Sequence, residues 1–211
     1  MKMIFKHQNK VELLSATGGD IAHARAAWAS TGKKVEAEKY RIPELLEMLA
    51  DHNHMSPFEH SQISYLVTSD IATHIQFLKH RVGVSINSES ARYRELKEDK
   101  YYVPDDWPDD LILDYDRFVQ GAQQRYHDAI KILMDHGFER SRAKESARFF
   151  LPYGNQINYI VTFNFRSFIH FLDLRLTEHA QREICDIARA MLRLLHGHGD
   201  FNHSLNAFEY Q

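Results

Sequence analysis

Four arginines, Arg92, Arg148, Arg166 and Arg175, fall near the ends of predicted elements, where side chains from distant segments can converge. With Lys79 and Arg81 they point to a pocket for an anion carrying several phosphates or carboxylates, because the guanidinium fork matches those groups bidentately. Nucleotide chemistry is the natural reading. The densest run is "KHRVGVSINSESARYRE", residues 79 to 95, in which Lys79, His80 and Arg81 precede Ser85, Asn87, Ser88 and Ser90, and then Arg92 and Arg94. A surface helix would sort these types by face, and a core strand would alternate them with apolar residues. The run is therefore expected to leave a helix C-terminus and continue as a loop, with Gly83 as the break.

Other reactive side chains carry less. His52, His54 and His60 in "DHNHMSPFEH" lack the Cys pair or H-E-x-x-H helix that makes a metal site converge, so no metal is expected. The segment "HGHGDFNH" reads as a frayed polar end after a helix. "GVSIN" is one residue short of a nucleophile elbow and follows a predicted helix, whereas the elbow follows a strand. The single cysteine, Cys185, lies beside an apolar helical stripe, where thiols are usually inert packing groups.

These residues need a scaffold. At 211 residues, without a linker-like stretch, the chain is expected to form one domain spanning residues 1 to 211. Its 44% hydrophobic and 26% charged content fits a soluble globular protein. No apolar run suits a membrane span, and "MKMIFKHQNKVELL" lacks the apolar core of a secretion signal, so a cytoplasmic location is expected. A lone cysteine agrees with a reducing compartment. The net charge of -3 argues against broad nucleic-acid backbone binding and for a local anion site.

Periodicity predicts an α+β fold, mostly helical with a small antiparallel sheet. Val11 to Ser15 reads as a strand. Asp20 is expected to cap a helix running to about Ser30, and Lys39 to Asp51 a helix with Leu45, Leu46 and Leu49 inward. Ile63, Tyr65 and Val67 alternate as a strand. Asp70 then caps a helix through Arg81. "YYVPDDWPDD" reads as a loop, and Phe118, Ala122, Tyr126, Ala129 and Leu133 mark one face of a long helix that Gly137 ends. A shorter helix, about Arg140 to Phe150, stops at Pro152. "INYIVTFN" has strand composition, Ser167 to Leu174 is helical, and Thr177 is expected to cap a last helix striped by Ile184, Ile187, Ala188, Met191 and Leu195.

"KHRVGVSINSESARY" resembles the signature of the flavin-dependent thymidylate synthases, R-H-R-x-x-S-x-N-E-x-S-x-R-Y. The likeness continues in family order through "RAAWAS", "HMSPFEH", "QFLKHR", "ARFFLP" and "TFNFRSFIHFLDLRLTEHAQREI". It implies a homotetramer with active sites shared between subunits, FAD as cofactor, and conversion of dUMP to dTMP with methylenetetrahydrofolate as carbon donor and NADPH as reductant. Position by position, it implies flavin contacts at Ser30, His54, Ser56, Lys79, His80, Arg81, Asn164, Arg166 and His170. The dUMP set implied is Gln76, Lys79, Ser88, Ser90, Arg92, Arg148 and Arg175, with Arg175 activating the uracil. Carbon 5 of uracil is a poor nucleophile, and if no enzyme thiol attacks the ring, a permanent cation that stabilises negative charge on N3 and its carbonyl is suited to activate it, in agreement with the implied role of Arg175.

The chain departs from that pattern inside the signature. Lys79 replaces the leading arginine, Val82, Gly83 and Val84 fill a two-residue space, Ser88 stands where Glu is usual with Glu89 adjacent, and His170 stands where Asn is common. A loop absorbs the extra residue, whereas a strand or helix would turn later side chains to another face. Such divergence leaves open a hydroxymethylated product, a different pyrimidine nucleotide, or a flavin- and nucleotide-binding protein without catalysis.

Overall fold

The expected first strand is longer than its apolar letters: β1 spans Lys10–Thr17. In the computed structural model, which describes residues 8–32 and 34–210, the elements then follow as α1 (Gly19–Ala29), α2 (Val35–Glu38), α3 (Ile42–Asp51), β2 (Gln62–Asp70), α4 (Ile71–Phe77) and β3 (Val84–Ser88). After a loop come α5 (Asp109–Asp135), α6 (Arg140–Ala147), β4 (Gln156–Phe163), α7 (Phe165–Arg175), α8 (Arg182–His198) and α9 (Asn202–Ala207). The fold is α+β, mostly helical, around a small antiparallel sheet ordered β1-β2-β4-β3. Register is visible in side-chain pairs that run in opposite directions along β2 and β4: Ser64 bonds Thr162 and Thr68 bonds Asn158.

Backbone contacts gather the chain into two compact units. The cleft unit comprises Val11–Val67, Leu78–Asn87 and Ile160–Gln211, and the long-helix unit comprises Thr68–Phe77 and Ser88–Tyr159 with the described residues up to Lys10. In the cleft unit, Ile63, Tyr65 and Val67 of β2 are fully buried, as their alternation predicts. Tyr65 donates its hydroxyl to the Met191 carbonyl of α8 and stacks on Phe168 of α7. All five predicted stripe residues of α8 are buried, and Cys185 is buried beside them.

Several expectations on helix ends are corrected. Asp20 does not cap its own helix, which starts at Gly19 behind Gly18; its carboxylate accepts from the Ser204 and His203 amides at 2.8 and 2.9 Å and so caps α9. The supposed frayed end is thus ordered, with Phe201 fully buried and packed on Phe165, and Phe208 packed on Phe58. Thr177 lies in a turn closed by the Ala180 amide, and Gln181 stands at the N-cap of α8. Asp70 does cap α4, accepting from the Thr73 amide at 2.8 Å, but the helix stops at Phe77.

In the long-helix unit, the buried face of α5 is Ile112, Val119, Gln123, Tyr126 and Ile130; of the predicted face only Tyr126 is buried. Phe118 is 60% exposed. The rotation has two causes. Gln123 is buried because its amide donates to Asn155 at 3.0 Å, and the predicted loop covers this face with Tyr101 and Val103. The final Asp109 and Asp110 of that loop are the first turn of α5, where carboxylates favour the helix dipole. Gly137 follows its end at φ +85.

Candidate functional site

The turn between α4 and β3 carries the signature's first half. Its expected loop continues not as a loop but as strand β3, whose Val84–Ser88 alternate half-buried and exposed. The extra residue is absorbed before the strand, where Gly83 sits at φ +63. A side chain there would overlap Ser167 Oγ and come within 2.6 Å of Asn164 Nδ2, so position 83 requires glycine for both conformation and space. Asn164 ties this turn to α7: its amide donates to the Gly83 carbonyl at 3.1 Å, and its side-chain oxygen accepts from the Ser167 amide at 2.8 Å as the helix N-cap.

His80, on the same turn, is 8% exposed and lies edge-on to Phe171. Arg175, the last residue of α7, donates from Nε to His80 Nε2 at 3.1 Å. Burial, then the charges of Arg175 and His170, push the His80 pKa down to about 4. His80 is therefore neutral near pH 7 and is not one of three cations in the run. Burial also lowers the Arg175 pKa, although a guanidinium remains charged at any physiological pH.

Beside this turn lies a cleft of about 860 Å³, all of whose lining residues belong to the cleft unit. Of the nine implied flavin contacts it brings together Asn164, Arg166 and His170. Ser30, His54, Ser56, Lys79, His80 and Arg81 are not among its lining residues, although Asn53 and Met55, the neighbours of His54, are. Ser30 Oγ donates to the Ala27 carbonyl at 2.9 Å at the end of α1. His54, Ser56, Lys79 and Arg81 are exposed. Sequence reasoning missed the cleft's acidic side chains. Glu59 pairs with Arg166 at 2.6 Å and Asp173 accepts from the Tyr210 hydroxyl at 2.7 Å. Their signals were present in "FEH" and "DLR" as single carboxylates beside expected contacts.

The long-helix unit holds the other half of the expected nucleotide set. Ser88 ends β3 and bonds His74 Nε2 at 2.7 Å, and burial lowers the His74 pKa. Glu89 does not take over the Ser88 position: its carboxylate accepts from the Asn158 amide and side chain at 3.2 and 3.3 Å and pairs with Arg94 at 3.0 Å. Ser90 Oγ accepts from the Arg92 amide. Arg92 is exposed and reaches Glu145 of α6 at 2.6 Å; the hydrogen bond to that carboxylate raises the Arg92 pKa. Arg148 follows α6 about one turn beyond Glu145 and is exposed. Gln76 is half-buried on α4.

An α+β chain with these arginines is defined further by its relatives. Residues 12–198 match the family described as "Thymidylate synthase complementing protein". A flavin-dependent thymidylate synthase of Thermosipho africanus is 32% identical over 185 residues, covering 82% of this chain and 80% of the relative. One from Streptomyces coelicolor is 33% identical over 191 residues, covering 80% and 75%. Among solved structures, a UMP/dUMP methylase, PolB, of Streptomyces cacaoi bound with 5-Br dUMP superposes with a TM-score of 0.80 at 28% identity over 97% of this chain and 96% of that one. The chain belongs to the flavin-dependent thymidylate synthase family and is an enzyme of the methyltransferase class. No helix among the described residues is long and apolar enough to cross a membrane.

Proposed function

We propose that this enzyme methylates dUMP to dTMP, with FAD as cofactor, methylenetetrahydrofolate as carbon donor and NADPH as reductant. The observation that carries the reading is Arg175, a permanent cation on a neutral partner at 3.1 Å, in a chain whose single cysteine is buried in the α8 stripe. A cation fixed against the uracil would stabilise negative charge on N3 and the adjacent carbonyl, making carbon 5 nucleophilic without covalent attack by sulfur. Arg92 and Arg148 would hold the phosphate, with Gln76, Lys79, Ser88 and Ser90 completing the nucleotide set.

The cleft fits a flavin in size and in its polar groups, since Asn164, Arg166 and His170 all face a space of about 860 Å³. Ser30, His54, Ser56, Lys79, His80 and Arg81 would complete that set. When bound, the flavin supplies the hydride that converts the transferred carbon to a methyl group. Active sites shared between the subunits of a homotetramer, in the cytoplasm, are part of the reading.

The test is the mass of the nucleotide product after incubation with dUMP or UMP, methylenetetrahydrofolate, NADPH and FAD. Gain of one CH2 on dUMP is expected. Gain of CH2O would make the enzyme a hydroxymethylase, gain of CH2 on UMP alone would move the substrate to the ribonucleotide, and flavin reduction without a new nucleotide would overturn the catalytic reading.

A further inference from the structure

We propose that His80 is a positioning residue for Arg175: as a neutral imidazole it accepts the Arg175 Nε–H and thereby fixes the plane of the guanidinium. The proposal rests on the reading of Arg175 as the group that activates the base. It assigns His80 a task separate from the flavin contact that the family likeness implies.

The geometry admits one arrangement of protons. Arg175 Nε can only donate, so His80 Nε2 at 3.1 Å must present its lone pair and the ring proton must sit on Nδ1. Protonation of the ring would set an N–H against an N–H and break the contact. The surroundings oppose that protonation: the ring is 8% exposed, Phe171 packs against it at 5.0 Å between centroids, and His170 lies on the same helix as Arg175 with its ring 6.5 Å away. Each reinforces the neutral form, the first two by excluding water and the third by charge.

Fixing Nε has a consequence for the rest of the side chain. The guanidinium is planar, so once Nε is held, both Nη groups lie in a set plane and their donors point in set directions. An arginine left to itself spreads over many rotamers. Arg175 also ends α7, where the helix dipole favours a cation, so charge and direction are supplied by different neighbours. A buried histidine that served packing alone would need no partner at Nε2 in particular, and an apolar ring would replace it with a cost in stability only.

The test compares His80→Phe, which keeps a ring but cannot accept, with His80→Gln, whose side-chain oxygen accepts near the place of Nε2. In the flavin-loaded enzyme, His80→Phe is expected to lower kcat about 10- to 150-fold, the loss of a hydrogen bond to a charged group, with the nucleotide KM little changed. His80→Gln is expected to recover most of kcat. Nitrogen-15 spectra of the wild type near pH 7 should show His80 protonated at Nδ1 and bare at Nε2, with a slowly exchanging Arg175 Nε–H that disappears in His80→Phe. A proton on Nε2, full-speed turnover by His80→Phe, or a His80→Gln variant as slow as His80→Phe would each overturn the proposal. If the wild type makes no methylated nucleotide, the reading of Arg175 fails, yet the spectra still decide whether His80 holds it. If His80→Phe does not fold, the wild-type spectrum and His80→Gln carry the decision.

Discussion

Arg175 and Arg92 are proposed for the same nucleotide, yet the two units hold them by opposite means. In the cleft unit, Arg175 is half-buried and its Nε is fixed by a neutral ring. In the long-helix unit, Arg92 is exposed and held by Glu145 through a surface ion pair. Solvent screens an exposed pair and lets it exchange readily, so a phosphate can take Arg92 from Glu145 at little cost. A neutral acceptor at Nε sets the direction of the Arg175 side chain before substrate arrives without adding a negative charge at that contact. The contrast separates the proposed catalytic cation, held in one direction, from the proposed binding cation, held loosely.

The strongest way to break this contrast is Arg175→Ala. Product formation should fall at least about 100- to 1,000-fold, the usual effect of removing one preorganised charge-stabilising group, with flavin still bound by absorbance. An equally large loss in Arg92→Ala would erase the distinction; that variant is expected to raise the nucleotide KM and leave kcat near wild type.

Gly83→Ala tests how firmly the cleft unit is built. The left-handed backbone alone costs a side chain roughly 1–2 kcal/mol, and the overlap with Ser167 and Asn164 adds to it, which urea denaturation would read as a lower midpoint. Acid should expose the same unit. His23 and His80 have pKa values lowered to about 3 and about 4 by burial first, and then by neighbouring His60 for the former and Arg175 for the latter, so unfolding takes up protons below 6.5. Their contribution to stability is complete above about pH 6.5 and is lost as the pH falls toward 4. In the long-helix unit, burial lowers the His127 pKa but hydrogen bonds that the ring donates to Asp99 and Glu95 outweigh it, so its contribution runs the other way and is lost as pH rises through the raised value. Thermal midpoints measured from pH 4 to 8 would show both limbs.

Glu59→Gln should tighten flavin binding by up to about fivefold, because it releases Arg166 from an exposed pair worth at most about 1 kcal/mol. Weaker flavin binding in that variant would place Arg166 outside the flavin's reach. The smallest effect belongs to Cys185→Ala, which should leave turnover unchanged in folded protein; total inactivation would restore a covalent route through sulfur.

Fold class, the positions of β1, β2 and β4, and the α8 stripe were legible; in β2 and α8 burial follows the apolar letters, with Ile63, Tyr65 and Val67, and Ile184, Ile187, Ala188, Met191 and Leu195, inward as their spacing says. Illegible were features set by polar partners distant in sequence. Gln123 is buried through Asn155, Asp20 caps a helix that starts at Asn202, and His80 is neutral because Arg175 meets it from another element. Periodicity treats each of these as a polar, outward residue. The signature marked the turn between α4 and β3, and Gly83 was identified as its break, but β3 was hidden because its outward positions are Ser85 and Asn87 and its inward ones are only half-buried. The family likeness named Arg166 without its acidic counterpart, since an ion pair between residues 59 and 166 leaves no local pattern.

The cap that Asp20 places on α9 links residues more than 180 positions apart, and α9 leads into Ala207, Phe208 and Glu209 of the cleft wall. Closing so long a loop is entropically slow compared with forming either helix, which places completion of this wall among the last events of refolding. A freshly diluted chain would then regain its far-ultraviolet helix signal before it regains the capacity to take up flavin.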